Sequence, residues 1–331
     1  MTTVQLADYD IVIGDFTAHL NQLLEAKKYS QCLVLVDENT KEHCLPILLQ
    51  RITNLRNAPI IEIQSGEIHK NIETCQYIWQ QLLHHKTDRK ALVINLGGGV
   101  IGDMGGFCAS TFKRGIDFLQ IPTTLLAQVD ASIGGKLGID FEYVKNIIGC
   151  FNNPQAVYVE PLFLQSLPER QVRNGFAEVI KHALICDAAY WQDLKTITDF
   201  RHTDWTNIIH RSLQIKRQVV ETDPYEKGLR KILNFGHTIG HAIESYSMAH
   251  DSDPLLHGEA IVLGMYAELY LSEQVCGMDS RQVEQVKQVM QQWYTDYQLA
   301  ATAYPNVLDY LKNDKKNEGK HLNFTLLEKI G

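Results

Sequence analysis

KALVINLGGGVIGDMGGF, residues 90–107, passes from an apolar run interrupted only by Asn95 into a glycine-rich turn and then into mostly small and apolar residues. An apolar run of this length bounded by glycines predicts a strand buried on both faces. The glycines at 97, 99 and 102 have GxGxxG spacing. Between a strand and a helix start, that spacing makes a phosphate cradle. Glycine lets the backbone come close, and the first helical turn offers its N–H groups to an anion. The same spacing also serves a tight strand–helix turn that binds nothing. A Rossmann site would place a ribose-binding acid roughly 20 residues downstream, yet LQIPTTLLAQ, residues 119–128, contains none. An acid instead ends the earlier apolar run QCLVLVDENT (31–40), at Asp37. We therefore expect a dinucleotide site built in a variant order.

Outward from this turn, strand and helix signals alternate. Between the two apolar runs, NIETCQYIWQQLLHH (71–85) brings Ile72, Cys75, Ile78, Trp79 and Leu82 to one side of a helix. DFLQIPTT (117–124) predicts a third strand that breaks at Pro122, and QAVYVE (155–160) a fourth. After Pro161 helical patterns take over, in QVRNGFAEVIKHALI, TNIIHRSLQIKRQVVET, HGEAIVLGMYAELYLSEQV and SRQVEQVKQVMQQWYTDY. The next strand signal is HLNFTLL, residues 321–327. These patterns predict an α/β Rossmann-like domain over residues 1–162 and a mostly helical domain over 163–331, with the active site in the cleft between them.

The 331 residues suit about two domains, and 45% apolar with 21% charged residues is ordinary for a globular chain. A net charge of −8 argues against a general nucleic-acid binder. No apolar stretch reaches the ~18 residues of a membrane span. The first residues, MTTVQLADYDIVIGD, lack a signal-peptide pattern. Seven scattered cysteines without a CxxC pair predict reduced thiols in a cytoplasm. An anionic ligand would need a local cationic pocket.

KILNFGHTIGHAIESY, residues 231–246, puts His237 and His241 four residues apart, on one helix face. The glutamate of the zinc-protease HExxH motif is missing. His257 follows in LLHGEA, and Glu178 precedes in GFAEVIKHAL. Two histidines and a carboxylate with an open position make a catalytic zinc set. Spacing alone selects His237, His241 and one carboxylate, and could also recruit His182.

Taken together, GGGVIGDMGGF, RGIDFLQIPTTLLAQVDASIGGK, KNIIG, GFAEVIKHAL, NFGHTIGHAIE and HGEAIVLGM resemble the 3-dehydroquinate synthases of the sugar-phosphate cyclase superfamily. The resemblance runs from about GEIHK, residues 66–70, to the final IG. It implies an NAD- and zinc- or cobalt-dependent, phosphate-eliminating lyase of the shikimate route to aromatic amino acids. Its substrate would be 3-deoxy-D-arabino-heptulosonate 7-phosphate and its products 3-dehydroquinate and phosphate. Transient oxidation at C5 by NAD would allow β-elimination of phosphate, and return of the hydride, ring opening and an internal aldol closure would complete the reaction.

By the same resemblance the metal ligands are Glu178, His237 and His257, while His241 faces the phosphate end and His182 packs. NAD contacts fall on Asp37, Asn39, Glu67, Lys70, Gly98, Gly99, Val100, Asp103, Thr123 and Thr124, with Lys136 and Lys145. Lys136, Lys181, Lys216, Arg230, Asn234 and Asp130 match catalytic positions, and Asn146, Lys315 and Lys316 match substrate contacts. Arg114 matches an arginine lent to the partner's active site, which implies a homodimer. Glu226, four before Arg230, is expected to pair with it. Leu137 and Asp140 in GGKLGID depart from the usual threonine and asparagine, CFNNP departs from F-x-Q-P, and Pro224 follows Asp223 in place of glutamate. Two rival enzyme readings are a sister cyclase of the valiolone or deoxy-inosose type and a zinc-dependent glycerol-type dehydrogenase. A non-catalytic scaffold would have no use for buried unpaired charges.

Overall fold

The apolar runs that end at Asp37, Gly97 and Pro122 form neighbouring parallel strands. The computed structural model describes residues 1–131, 133–142, 144–223, 226–312 and 322–331. Lys315, Lys316 and Pro224 lie outside the described residues. Contacts divide the chain into two units, one of Met1–Pro168 with Asp204–Gln214 and one of Glu169–Thr203 with Ile215–Gly331. No helix among the described residues is long and apolar enough to cross a membrane.

The first unit holds nine strands: β1 (Thr2–Gln5), β2 (Asp10–Ile13), β3 (Cys32–Asp37), β4 (Ile60–Ile63), β5 (Leu92–Gly97), β6 (Asp117–Pro122), β7 (Lys136–Phe141), β8 (Val144–Phe151) and β9 (Ala156–Val159). Seven form one sheet in the order β1-β2-β9-β6-β5-β3-β4, and β7 pairs with β8 as a separate hairpin. All pairs of the large sheet are parallel except β1 with β2. Helices α1 (Thr17–Lys27), α2 (Glu38–His43), α3 (Leu45–Arg51), α4 (Ile72–His84) and α5 (Gly99–Thr111) connect the strands.

Side chains along a strand alternate between its faces, and in β3 both faces are apolar. Leu33 and Leu35 join α4 and α5 in one core, with Ile78, Leu82, Met104 and Phe107. Val34 and Val36 join Leu20 of α1 and Leu48 of α3 in another. Each fully buried aliphatic side chain contributes about 1.5–3 kcal/mol, so a strand covered on both sides reads as a continuous apolar run. Leu137, where threonine is usual, is 7% exposed and packs in the first of these cores beside Ile139 and Phe118. That burial accounts for the departure.

The second unit is helical: α6 (Glu169–Cys186), α7 (Ala188–Leu194), α9 (His237–His250), α10 (His257–Leu271), α11 (Ser280–Trp293) and α12 (Tyr304–Lys312). Helix α8 (Trp205–Thr222) begins in the first unit and ends in the second. The strand expected at 321–327 is absent among the described residues. Side chains of the helical unit hold this segment instead: Thr238 Oγ1 donates to Asn323 O (2.8 Å), Thr325 Oγ1 to Lys231 O (2.9 Å), and Leu327 N to Ser272 Oγ (3.0 Å). Among the described residues its alternating pattern meets the helical unit rather than a strand edge.

Candidate functional site

In the first unit the ligand edge follows from register. Asp37 aligns with Ile63 of β4, and Gly97 of β5 aligns with Pro122 of β6. The carboxyl ends of four parallel strands therefore deliver Asp37, the Gly66–Lys70 segment, Gly98–Val100 and Thr123–Thr124 to one edge. After β3 the chain steps outward to β4, then returns to the other side of β3 to form β5. This reversal is the switch point at which open α/β sheets bind ligands. It also explains the variant order: the acid ends the strand on one side of the switch, and the glycine turn follows the strand on the other.

Gly98 caps α5 with no side-chain hydrogen bond to the first turn, so that turn's amides could receive an anion instead of a capping carboxylate. A Cβ at Gly98 would stand 3.1 Å from Thr124 Cγ2, so a side chain would crowd the cradle. The residues present fit a pyrophosphate. Asp37 has a second job, since its Oδ1 accepts Thr40 N (2.8 Å) as the N-cap of α2. Asn39 is exposed on the same helix.

Lys70 is 4% exposed, and its ammonium donates to Asp103 Oδ2 (2.7 Å) and Asn146 Oδ1 (2.6 Å). Burial opposes its charge, but Asp103 and Glu67 outweigh burial and hold its pKa above the usual lysine value. Lys145 Nζ lies 3.8 Å from Glu67 Oε1, and Asp140 Oδ1 accepts Asn146 N at 2.7 Å. Burial raises the Asp140 carboxyl. Asp140, the second departure, thus holds the start of β8, which carries Lys145 and Asn146. Lys136 is exposed at the start of β7. Asp130 sits in a π-turn, Ala127–Ala131, whose Gln128 is pinned to the carbonyls of Pro122 (3.1 Å) and Glu160 (3.0 Å). Arg114 stands apart, exposed at the far end of α5 from the glycine turn.

In the second unit Glu178 lies on α6 with its side chain fully buried. Its Oε1 is 3.5 Å from His237 Nε2 and 3.7 Å from His257 Nε2. These distances exceed a hydrogen bond. Donors around a tetrahedral zinc, at about 2.0–2.2 Å each, stand roughly 3.3–3.6 Å from one another. Both carboxylate–imidazole distances are therefore close to the spacing of ligands around an ion. The far sides of both rings are also held, His237 Nδ1 by Phe235 O (3.1 Å) and His257 Nδ1 by Glu244 Oε2 (3.3 Å). Burial opposes charge on His257, yet Glu244 and Glu178 outweigh it and lift its pKa to about 9. The point favours a cation. His257 keeps 26% of its side chain open, so the cluster is reachable. His241 is also close: its donor atom and those of His237 and His257 lie within 4.8 Å of one another. The Glu178 carboxylate also pairs with the ammonium of Lys181, which is 1% exposed.

Four residues with no site role in the sequence reading build this geometry. Arg170 on α6 donates Nε to Glu259 Oε1 (2.8 Å) and Nη2 to Glu259 Oε2 (2.9 Å), and Asn174 Oδ1 accepts Gly258 N (2.6 Å). Arg170, Asn174 and Glu178, spaced four apart, form one stripe on α6 that grips the first turn of α10 and so places His257. Glu268 on α10 accepts Gly236 N at 2.7 Å, ahead of His237. Gly236 has φ +80°, and a Cβ there would stand 2.5 Å from Met265 Cγ and 2.9 Å from Ile261 O. Gly236→Ala is therefore expected to cost about 2–4 kcal/mol in urea unfolding, and a loss under 0.5 kcal/mol would sink this account.

Lys216 (5% exposed) and Arg230 (3% exposed) are buried in the same unit. Arg230 sits in a 3-10 turn, Leu229–Asn234, that packs against α6. The helical spacing assumed for Glu226 and Arg230 does not apply, because Glu226 precedes this turn at φ +58°. Glu226 Oε1 accepts Asn234 Nδ2 at 2.8 Å, and Asp223 Oδ2 accepts Arg230 N at 3.1 Å. Bonds from the Lys227, Gly228 and Arg230 amides keep the Asp223 carboxyl below its ordinary pKa.

Comparison with known proteins adds to this geometry. The sequence matches the family profile "3-dehydroquinate synthase N-terminal" over residues 60–174 and "3-dehydroquinate synthase C-terminal" over 175–317. It is 40% identical to the 3-dehydroquinate synthase of Parabacteroides distasonis, over 97% of this chain and 91% of that protein. A 2-deoxy-scyllo-inosose synthase solved with carbaglucose-6-phosphate, NAD+ and Co2+ superposes with a TM-score of 0.82 at 25% identity, covering 100% of this chain and 93% of that one. The 2-epi-5-epi-valiolone synthase of Streptomyces hygroscopicus, solved with NAD+ and Zn2+, superposes with a TM-score of 0.83 at 25% identity and the same coverage. Two adjoining family profiles and a relative 40% identical along nearly the whole length place this chain in the 3-dehydroquinate synthase family.

Proposed function

We propose that this protein converts 3-deoxy-D-arabino-heptulosonate 7-phosphate to 3-dehydroquinate and phosphate. The observation that carries the reading is the convergence of Glu178 Oε1 with His237 Nε2 and His257 Nε2 at metal-ligand spacing, in a chain of this family. NAD bound by residues 1–162 supplies a transient hydride acceptor, and a zinc or cobalt ion held by Glu178, His237 and His257 in residues 163–331 supplies a Lewis acid. The cofactors named in the two cyclase structures support both assignments.

The chain's own residues then orient and neutralise. The amides of Gly98–Val100 receive the pyrophosphate, with Thr123 and Thr124 beside them, and Asp37 and Asn39 take the adenosine end. Lys70 stays charged through Asp103 and, with Glu67 and Lys145, lines the cofactor edge. Lys181, Lys216 and Arg230 meet the substrate's phosphate and carboxylate, together with Lys136, Asn146 and the lysines 315 and 316; charge-assisted bonds of this kind are the strong ones. Glu226 orients Asn234 toward the same ligand. Asp130 orients a substrate hydroxyl, and His241 holds a proton at the phosphate end. The protein works as a homodimer in which Arg114 enters the partner's site. All seven cysteines are free thiols, which suits a reducing cytoplasm.

The test is phosphate release from the heptulosonate with metal and substoichiometric NAD, while absorbance is followed for NADH. Many phosphates per NAD without NADH accumulation are expected. Stoichiometric NADH without phosphate would make the protein a dehydrogenase. Release from sedoheptulose 7-phosphate alone would make it a sister cyclase.

A further inference from the structure

His237 and His257 present the same atom, Nε2, to Glu178, but the opposite sides of their rings are held by different chemistry. His237 Nδ1 meets a neutral backbone carbonyl, that of Phe235, at 3.1 Å. His257 Nδ1 meets a carboxylate, Glu244 Oε2, at 3.3 Å. Both partners only accept, so each ring donates a proton from Nδ1, and with a metal ion bound each would offer its Nε2 lone pair to that ion beside Glu178. Glu244 is 3% exposed on α9, two helical turns beyond His237. One helix therefore carries one histidine of the cluster and orients another that belongs to α10.

A buried carboxylate is expensive. A glutamine could accept the same hydrogen bond without a charge, so the charge itself needs a use. The ammonium of Lys181 already neutralises Glu178, which weakens what Glu178 alone offers a dication. Glu244 adds a second negative charge through the ring of His257. We infer that Glu244 is a positioning residue that fixes the Nδ1–H tautomer of His257 and strengthens its Nε2 as a metal donor. The inference rests on the metal assignment made under Proposed function.

The test uses the full-length protein stripped by a chelator and titrated with Co2+, whose visible spectrum reports coordination, and with Zn2+ in competition. Wild type, Glu244→Gln, Glu244→Asp and Glu178→Gln are compared. Glu244→Gln is expected to bind Zn2+ about 10–100-fold more weakly, the usual loss for an outer partner of a ligating histidine. Its Co2+ spectrum should shift, its metal-free melting temperature should stay near wild type, and Glu244→Asp should recover part of the affinity. Wild-type affinity and spectrum in Glu244→Gln would overturn the inference and leave the metal site standing. Weakened binding in Glu244→Gln with unchanged binding in Glu178→Gln would support it while removing Glu178 from the ligands. No Co2+ spectrum from wild type would overturn the metal assignment and this inference together. Should Glu244→Gln fail to fold, histidine 15N shifts of the Zn2+-loaded wild-type protein read the tautomer directly. Nδ1–H on His257 is expected, and Nε2–H would overturn the proposal.

Discussion

Glu178→Gln should lower phosphate release by at least about a thousandfold and weaken Zn2+ binding by a similar factor, roughly 4 kcal/mol. Glutamine keeps the size of the side chain and removes the charge that sits 3.5 Å and 3.7 Å from the two imidazole nitrogens. The same change leaves the ammonium of Lys181 beside a neutral amide in a place that is 1% exposed. Breaking a buried pair this way costs about 3–5 kcal/mol, so lost activity could reflect lost fold. Glu178→Gln with Lys181→Met separates the two, because it restores charge balance without restoring a ligand. The double variant should recover most of the unfolding free energy and none of the Zn2+ affinity. Retained affinity would instead point to His237, His241 and His257, whose donor atoms also lie within 4.8 Å of one another. His241→Asn would then become the damaging change.

The elements most legible in the sequence were those whose burial leaves no ambiguity of period. Strands β3, β5, β6 and β9 are covered on both faces and read as nearly continuous apolar runs, broken inside only by Asn95 in β5 and Gln120 in β6. Strand β1 (TTVQ) buries one residue, and β8 (VKNIIGCF) is mostly exposed, so neither pattern stands out from a loop. The alternation in 321–327 misled for a related reason: period two marks one buried face, and helices can supply that face as well as a sheet can.

At the site, sequence spacing could gather histidines on one helix but could not choose among partners on other helices. Arg170, Asn174 and Glu178 show the four-residue stripe of α6 plainly, yet only the packing of α10 on α6 shows what the stripe grips. Glu244 looks like an ordinary helical acid until His257 is brought beside it. The missing acid downstream of the glycine turn has a topological counterpart. In this strand order the switch point lies between β3 and β5, and Asp37 ends the strand on one side of it.

Arg114→Ala is expected to cut turnover by about a hundred- to a thousandfold, the cost of removing a charged partner from a bound anion, although Arg114 is remote from its own chain's cofactor edge. Helix α5 has 13 residues, so its ends stand about 20 Å apart, with the glycine turn at one and Arg114 beyond the other. Lys113, Arg114 and Gly115 are all left-handed, at φ +51°, +65° and +109°. Such backbone costs about 1–3 kcal/mol for each non-glycine residue. Arg89 Nε, bonded to Lys113 O at 3.1 Å, helps hold it. A strained loop that carries an exposed arginine at the far end of α5 from the glycine turn suits service in a second subunit. Subunit mixing tests that directly. Neither Arg114→Ala nor Glu178→Gln alone should turn over. Unfolded together and reassembled at random, they should yield about a quarter of wild-type sites, because a mixed dimer has one site with both an intact Glu178 and an intact partner Arg114. A mixture as inactive as its parents would remove Arg114 from the partner's site, and Arg114→Ala as active as wild type would remove it from catalysis. Activity in the mixture makes the dimer the catalytic unit.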